Sequence, residues 1–222
     1  MGFLTIALVV ALPLVLVPAL LRRNADADKP FWNSYWFKAN VYIAIFSFFG
    51  NYFGSEYFFD VLGMVYVYPM IELNFDSFLL GSGQQKVPLI MYLLTQAYFM
   101  TYHSSAVVCL RRIRTSRMNA SILLWPVAVF VVAYFWAWME TRAMANPWIE
   151  NQFYYKDLNR MLKFGSAIYA TYFIASFPIF YQIDEDANHK WSLVQSAGGA
   201  CAASALTLLM LDFIGWMIGS IA

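Results

Sequence analysis

Six stretches of this chain are each apolar over the roughly 20 residues that a helix needs to cross a bilayer. They run over about 2–21, 36–59, 88–110, 121–140, 164–183 and 191–218. In hydrocarbon the backbone must satisfy its own hydrogen bonds, and a helix does so within one segment. The chain shows no strand alternation and no internal repeat. The expected fold is therefore all-α: a polytopic membrane protein, a bundle of about six transmembrane helices forming one domain over 1–222. Composition agrees, with 12% charged residues and 61% hydrophobic ones, where a soluble domain is about 25% charged. The first stretch has no basic residues before it and is longer than a signal-peptide core, so it reads as a retained span, bent at Pro13 or Pro18.

Basic residues set an expected orientation. Arg111, Arg112, Arg114 and Arg117 form the densest basic loop, and Arg22, Arg23, Lys29 and Lys190 fall on the same side. The positive-inside rule places that side in the cytoplasm and both termini opposite. The sequon Asn119-Ala120-Ser121 then faces the cytoplasm and stays unmodified. Lys plus Arg is 14 and Asp plus Glu is 13, a net charge of +1, which provides no surface for a polyanion and argues against nucleic acid as a partner. Cys109 and Cys201 stand in apolar runs and read as small buried thiols.

The second stretch carries polar residues where lipid would penalise them. Asn40, Ser47 and Asn51 are spaced by seven and four and share one helix face. Gly50 and Gly54 are four apart, which lets a neighbouring helix approach closely. Ionisable groups inside a membrane mark candidate sites. Following the antiparallel order of spans, depth along each helix suggests two polar layers. One holds His103 with Asn40. The other holds Asn51, Gln96, Glu140 and Asp212, with Glu56 nearer the surface. Plainer readings stand beside these. Glu140 and Glu56 lie near span ends, where hydration or a partner such as Arg142 would explain them. A lone His103 suits a satisfied interior side chain. Asp212, flanked by Leu211 and Phe213, is harder to place in solvent.

Some chemistries are disfavoured. His103 and His189 are the only histidines, too few for a membrane di-iron hydroxylase. No G-x-G-x-x-G, Walker A, C-x-x-C or G-x-S-x-G motif occurs. This inventory suits cofactor-free proton chemistry on an apolar substrate.

The residues resemble one family. Tyr35-Trp-Phe-Lys-Ala-Asn40, Phe46-Ser47, Gly50-Asn-Tyr-Phe53, Tyr57-Phe-Phe59 and Val61-Leu-Gly63 are similar to the signature region of the cycloeucalenol cycloisomerases. Tyr102-His103, Leu110-Arg-Arg112, Glu140-Thr141, Tyr172-Phe173, Ser176-Phe-Pro178, Asp184-Glu185 and Leu211-Asp212 follow in the same order. The chain departs from the family pattern at Glu56 and Gln96, where histidine is expected, so neither is assigned as the sole acid or base. The resemblance implies a redox-neutral reaction without a cofactor. A 9β,19-cyclopropyl sterol taken from the bilayer is protonated at C19, the C9–C19 bond breaks, and C8 loses a proton to give a Δ8 sterol. Such chemistry needs an acid, a base and a wall that tolerates a cation. By burial and shared depth, Glu140 or Asp212 is expected to be the catalytic acid, and the other, or His103, the base. Asn40, Asn51 and Gln96 are expected to line the substrate site, with the aromatic faces of Tyr52, Trp136 and Tyr169. Membrane lipids are the expected surroundings, in the endoplasmic reticulum or, for a bacterial source, the cell membrane. The alternative is a non-catalytic member of the same fold: an accessory subunit of a larger complex, or a sterol or lipid binder.

Overall fold

The computed structural model describes residues 2–20, 26–116 and 124–220. Arg22, Arg23, Arg117 and the sequon lie outside the described residues. Six long helical runs coincide with the six apolar stretches. The first is α1 (Gly2–Leu20). The second begins at Ser34, whose side chain accepts from the Phe37 N–H and caps α2 (Tyr35–Phe49). It continues through a π-helical turn, Gly50–Gly54, into α3 (Ser55–Asp60). Next come α4 (Leu89–Arg114) and α5 (Leu124–Met144). The fifth run joins α6 (Leu158–Arg160), a second π turn, Met161–Gly165, and α7 (Ser166–Tyr181). The sixth is α8 (Leu193–Ile218), opened by a reciprocal Ser192–Gln195 cap. Leu124–Met144, Leu158–Tyr181 and Leu193–Ile218 are long and apolar enough to cross a membrane.

One element contradicts the expectation of no strands. β1 (Met64–Tyr66) and β2 (Phe153–Tyr155) pair antiparallel, Met64 opposite Tyr155 and Tyr66 opposite Phe153. Each strand is three residues long, too short for alternation to register in a sequence. Gln85 seals the free edge of β1: its Nε2 donates to the Met64 carbonyl at 2.6 Å and its Oε1 accepts from the Tyr66 N–H at 2.8 Å. This satisfies backbone groups that an open edge would leave exposed.

At the centre lies α7, packed between α5 and α8. Tyr169, Tyr172, Phe173, Phe177 and Phe180 are all nearly inaccessible. Against it α8 presents small residues, Ala200, Ala203, Ser204 and Thr207, which are buried. The outward faces are apolar: Val127, Phe130 and Val131 on α5, Leu209, Phe213 and Trp216 on α8. In water that would be a large unpartnered surface; here it is the surface that meets lipid. Cys109 on α4 and Cys201 on α8 are exposed rather than buried. On a helix a residue next to a core position turns by about 100°, and Cys109 precedes the fully buried Leu110.

The arginine-rich end is tied by charge. Lys38 forms an ion pair with Asp184, both nearly fully buried. Lys38 Nζ also donates to the Trp191 carbonyl at 3.0 Å, and the Trp191 N–H donates to Asp184 at 2.9 Å. Asp184 reaches both from a left-handed backbone, φ 57°. Arg111 donates to Glu185 through two nitrogens, at 2.6 and 3.1 Å, and the Tyr181 hydroxyl donates to it at 2.8 Å.

Candidate active site

The π turn at Gly50–Gly54 widens the second helix where α4 and α7 press against it. Gly54 must be glycine for packing, since a Cβ there would stand 2.1 Å from the Tyr172 hydroxyl oxygen. The turn brings Asn51 inside, 4% exposed. Its Nδ2 donates to the Ser47 carbonyl at 2.8 Å, and its Oδ1 accepts from the Thr95 hydroxyl at 3.3 Å. π turns inside α-helices occur often at functional sites.

Beside this turn lies a cavity of about 640 Å³, counting its open mouth. Gly50, Asn51, Ser55 and Phe58 form one wall, Thr95 and Phe99 of α4 another, and Glu140, Tyr169 and Tyr172 of α5 and α7 a third. The β ribbon roofs it. Phe153 and Tyr155 are buried while Tyr154 between them is exposed, as the two-residue period of a strand requires. Met64 and Tyr66 complete the roof from β1.

Glu140 is the carboxyl of this cavity. The Tyr169 hydroxyl donates to its Oε2 at 2.5 Å. A second phenol, Tyr102, faces the same carboxyl and stacks on Trp136, with ring centres 4.8 Å apart. Apart from Asn51, Ser55 and Thr95, the other wall groups are aromatic or apolar. An acid held by phenols among ring faces can transfer a proton and shelter a cation beside it.

The structure thus brings together Glu140, Asn51 and Tyr169, with Trp136 behind Tyr102. It separates the other expected residues. His103 is fully buried but does not line the cavity. Its Nδ1 lies 2.7 Å from the Phe99 carbonyl oxygen and its Nε2 2.9 Å from the Ser176 hydroxyl. Phe177 and Phe180 cover it edge-on. It forms no layer with Asn40 and is the satisfied interior histidine of the plainer reading. Asp212 is exposed and accepts from the Tyr57 hydroxyl at 3.2 Å. It follows the buried Leu211 and so turns outward. Asn40 and Gln96 face a separate groove on the outer side of α2 and α4. Tyr52 lies outside the cavity, parallel to Phe48 at 5.5 Å and against Phe75 at 5.0 Å. Arg142 does not pair with Glu140; its guanidinium lies over the Trp138 ring at 5.8 Å. Glu56 is buried outside the cavity with Gly81 packed on its carboxyl.

Tyr66, Tyr102, Tyr155 and Tyr172 were not among the expected site residues. Tyr172 had a signal, three residues after Tyr169 on the same helix face. Tyr66 and Tyr155 had none, because chain-distant segments build the ribbon.

Fold and cavity define a helical membrane protein with an internal, carboxyl-bearing site suited to an apolar molecule. No family model matches the chain, and no solved structure matches it. Over 224 aligned residues it is 36% identical to the cycloeucalenol cycloisomerase of Arabidopsis thaliana, covering 99% of this chain and 75% of that protein. The chain belongs to the cycloeucalenol cycloisomerase family, and it is an isomerase.

Proposed function

We propose that this protein opens the 9β,19-cyclopropane of a cycloeucalenol-type sterol to a Δ8 sterol of the obtusifoliol type, using Glu140 as the proton carrier. The observation behind this reading is the Glu140 carboxyl, held by the Tyr169 phenol in an aromatic cavity within a membrane bundle. Glu140 gives its proton to C19 as the C9–C19 bond breaks, and C19 becomes a methyl group on C10. Positive charge develops at C9 beside the ring faces of Phe99, Tyr155 and Tyr172. The Glu140 carboxylate left behind takes the proton from C8, and the C8–H electron pair becomes the C8–C9 double bond. Atoms and charge balance, the acid is regenerated, and no electrons leave the sterol, so no cofactor is required. One carboxyl thus takes both roles, for which Glu140, Asp212 and His103 were all candidates; Asp212 and His103 do not line the cavity. The sterol comes from the bilayer that the helical runs cross, the endoplasmic reticulum membrane or a bacterial cell membrane.

The test is conversion of cycloeucalenol in heavy water by membranes carrying the protein. The expected product is a Δ8 sterol with one deuterium on C19. Glu140→Gln, folded and inserted, is expected to lose a factor of about 10²–10⁴ in turnover, the usual weight of a general acid–base group. Normal conversion by that variant sinks the Glu140 assignment. No conversion by the parent, with several cyclopropyl sterols tried, favours the non-catalytic sterol binder or accessory subunit.

A further inference from the structure

The ribbon that roofs the Glu140 cavity turns four side chains toward it, Met64 and Tyr66 from β1 and Phe153 and Tyr155 from β2. Residues directly opposite in an antiparallel pair, and residues two apart in one strand, share a face. Tyr66 and Tyr155 therefore stand diagonally on the cavity face, within reach of one another. Their rings are fixed. Tyr66 meets Phe59 edge-on with ring centres 5.1 Å apart and lies 5.9 Å from Phe153, which stands perpendicular to Tyr155 at 5.1 Å. Their hydroxyls are not fixed: among the described residues neither meets a hydrogen-bond partner. Tyr66 lies deep in the fold yet keeps accessible surface, and that surface is cavity wall.

Most other polar groups of the wall are taken. Glu140 accepts from Tyr169 and faces Tyr102. Asn51 donates to the Ser47 carbonyl and accepts from Thr95. The Tyr172 hydroxyl has no partner, but it is sealed beside Gly54, out of a ligand's reach. A sterol brings one hydroxyl into this cavity, and the hydroxyl needs a partner there to replace the one it leaves at the membrane surface. It sits on C3, across the first ring from C10, one ring-width from the C19 carbon that Glu140 protonates. Met144 follows Glu140 by about 6 Å along α5. Met144, Phe153 and Tyr155 together line both the cavity and an adjoining pocket. The ribbon phenols thus stand about one helical turn beyond the carboxyl, and both are close enough to feel its charge. A sterol in a bilayer keeps its hydroxyl at the surface, since hydrocarbon offers it no partner. The ribbon closes one end of the bundle, so a sterol whose hydroxyl points to it keeps that orientation.

We propose that Tyr66 and Tyr155 hold the sterol's C3 hydroxyl, setting the first ring toward the ribbon and C19 at Glu140. This rests on the sterol-isomerase reading and makes the two phenols the residues that select a hydroxylated sterol.

The experiment compares cycloeucalenol with its 3-deoxy analogue in membranes carrying the parent, Tyr66→Phe, Tyr155→Phe and the double variant. Phenylalanine keeps each ring contact and removes one hydroxyl. The parent is expected to favour the hydroxylated sterol in kcat/KM by about tenfold or more, because an analogue lacking the hydroxyl leaves the site's own groups unpaired. In the double variant that ratio is expected to fall toward one, through loss with cycloeucalenol alone. Equal loss with both sterols would mean that the phenols serve the fold or Glu140, and overturns the assignment. A ratio that stays high overturns it too, as does one that collapses in Ser55→Ala, on the opposite wall, instead. Competition of the same two sterols against a photoreactive sterol, on the same membranes, reads the preference without chemistry. If the parent binds with the expected preference but converts neither sterol, the isomerase reading fails and the binding ratios of the variants judge the phenols. A parent that binds both sterols alike overturns the assignment, whatever it converts.

Discussion

A carboxyl that gives up a proton and takes one back needs a neighbour that steadies its charged form without competing for the proton. A phenol does this, because it donates to a carboxylate and remains protonated itself. Tyr169 makes such a bond to Glu140, at 2.5 Å. Tyr169→Phe keeps the ring and removes the donor. A hydrogen bond to a charged group is worth about 1.5–3 kcal/mol, so turnover is expected to fall about tenfold to a hundredfold while KM for the sterol changes little. Steady-state kinetics in membranes checks the split; a raised KM at unchanged kcat would assign Tyr169 to binding instead. His103 belongs to the opposite case. Its ring nitrogens meet Phe99 and Ser176, sealed from the cavity. His103→Leu is expected to destabilise the fold by about 1–3 kcal/mol, the cost of an orphaned buried partner, and to leave turnover per folded molecule intact. Thermal midpoints in detergent beside specific activity read the two apart. Glu140 was legible in the sequence as a charge in an apolar span, and His103 looked equally eligible. What separates them is which side of its own helix each occupies, and that depends on the packing of α4 and α5 around α7.

At the scale of elements, the helices were legible because hydrocarbon leaves an apolar stretch little choice. The π turn and the ribbon were not. Nothing in Gly50-Asn-Tyr-Phe-Gly54 distinguishes a π turn from an α turn until Tyr172 is set against Gly54. That contact makes its own prediction. Gly54→Ala puts a methyl 2.1 Å from the Tyr172 hydroxyl oxygen, closer than any contact allows, so α7 or the π turn must shift. Overpacking of this kind costs about 1–3 kcal/mol. Tyr172→Phe removes the clashing atom, so the double variant is expected to recover part of the loss of Gly54→Ala alone. The remaining ring carbon, at 3.0 Å, keeps the recovery incomplete. A double-mutant cycle on thermal midpoints measures the coupling; additive effects would mean that the two side chains do not meet. The ribbon was hidden for a different reason. Its three-residue strands are held by Gln85 and by the cavity they cover, not by a pattern of their own.

Across the whole molecule the two ends are built differently. The ribbon end closes over the cavity with ring faces and a few hydrogen bonds, while the arginine-rich end is clamped by charge. There the Lys38–Asp184 pair is buried and the Arg111–Glu185 pair half-exposed. Arg111 hydrogen bonds hold the Glu185 carboxyl below its ordinary range. A carboxyl depressed in the folded state contributes stability above its unfolded value, about 4.3. That contribution is lost as pH falls through the lower folded value. Arg111→Gln removes the largest cause. At pH 6–7 the variant is expected to melt below the parent by a small margin, on the order of 0.5–1 kcal/mol, because solvent screens a pair this exposed. As pH drops below the unfolded range, Glu185 takes a proton in the parent too, and the two melting curves converge. Thermal midpoints of both proteins over that pH series, at fixed salt, carry the test. A gap that stays constant with pH would show that Arg111 acts by packing alone. A convergent gap places this part of the clamp in the charge of one surface pair, beside the buried Lys38–Asp184 pair that joins α2 to the α7–α8 turn.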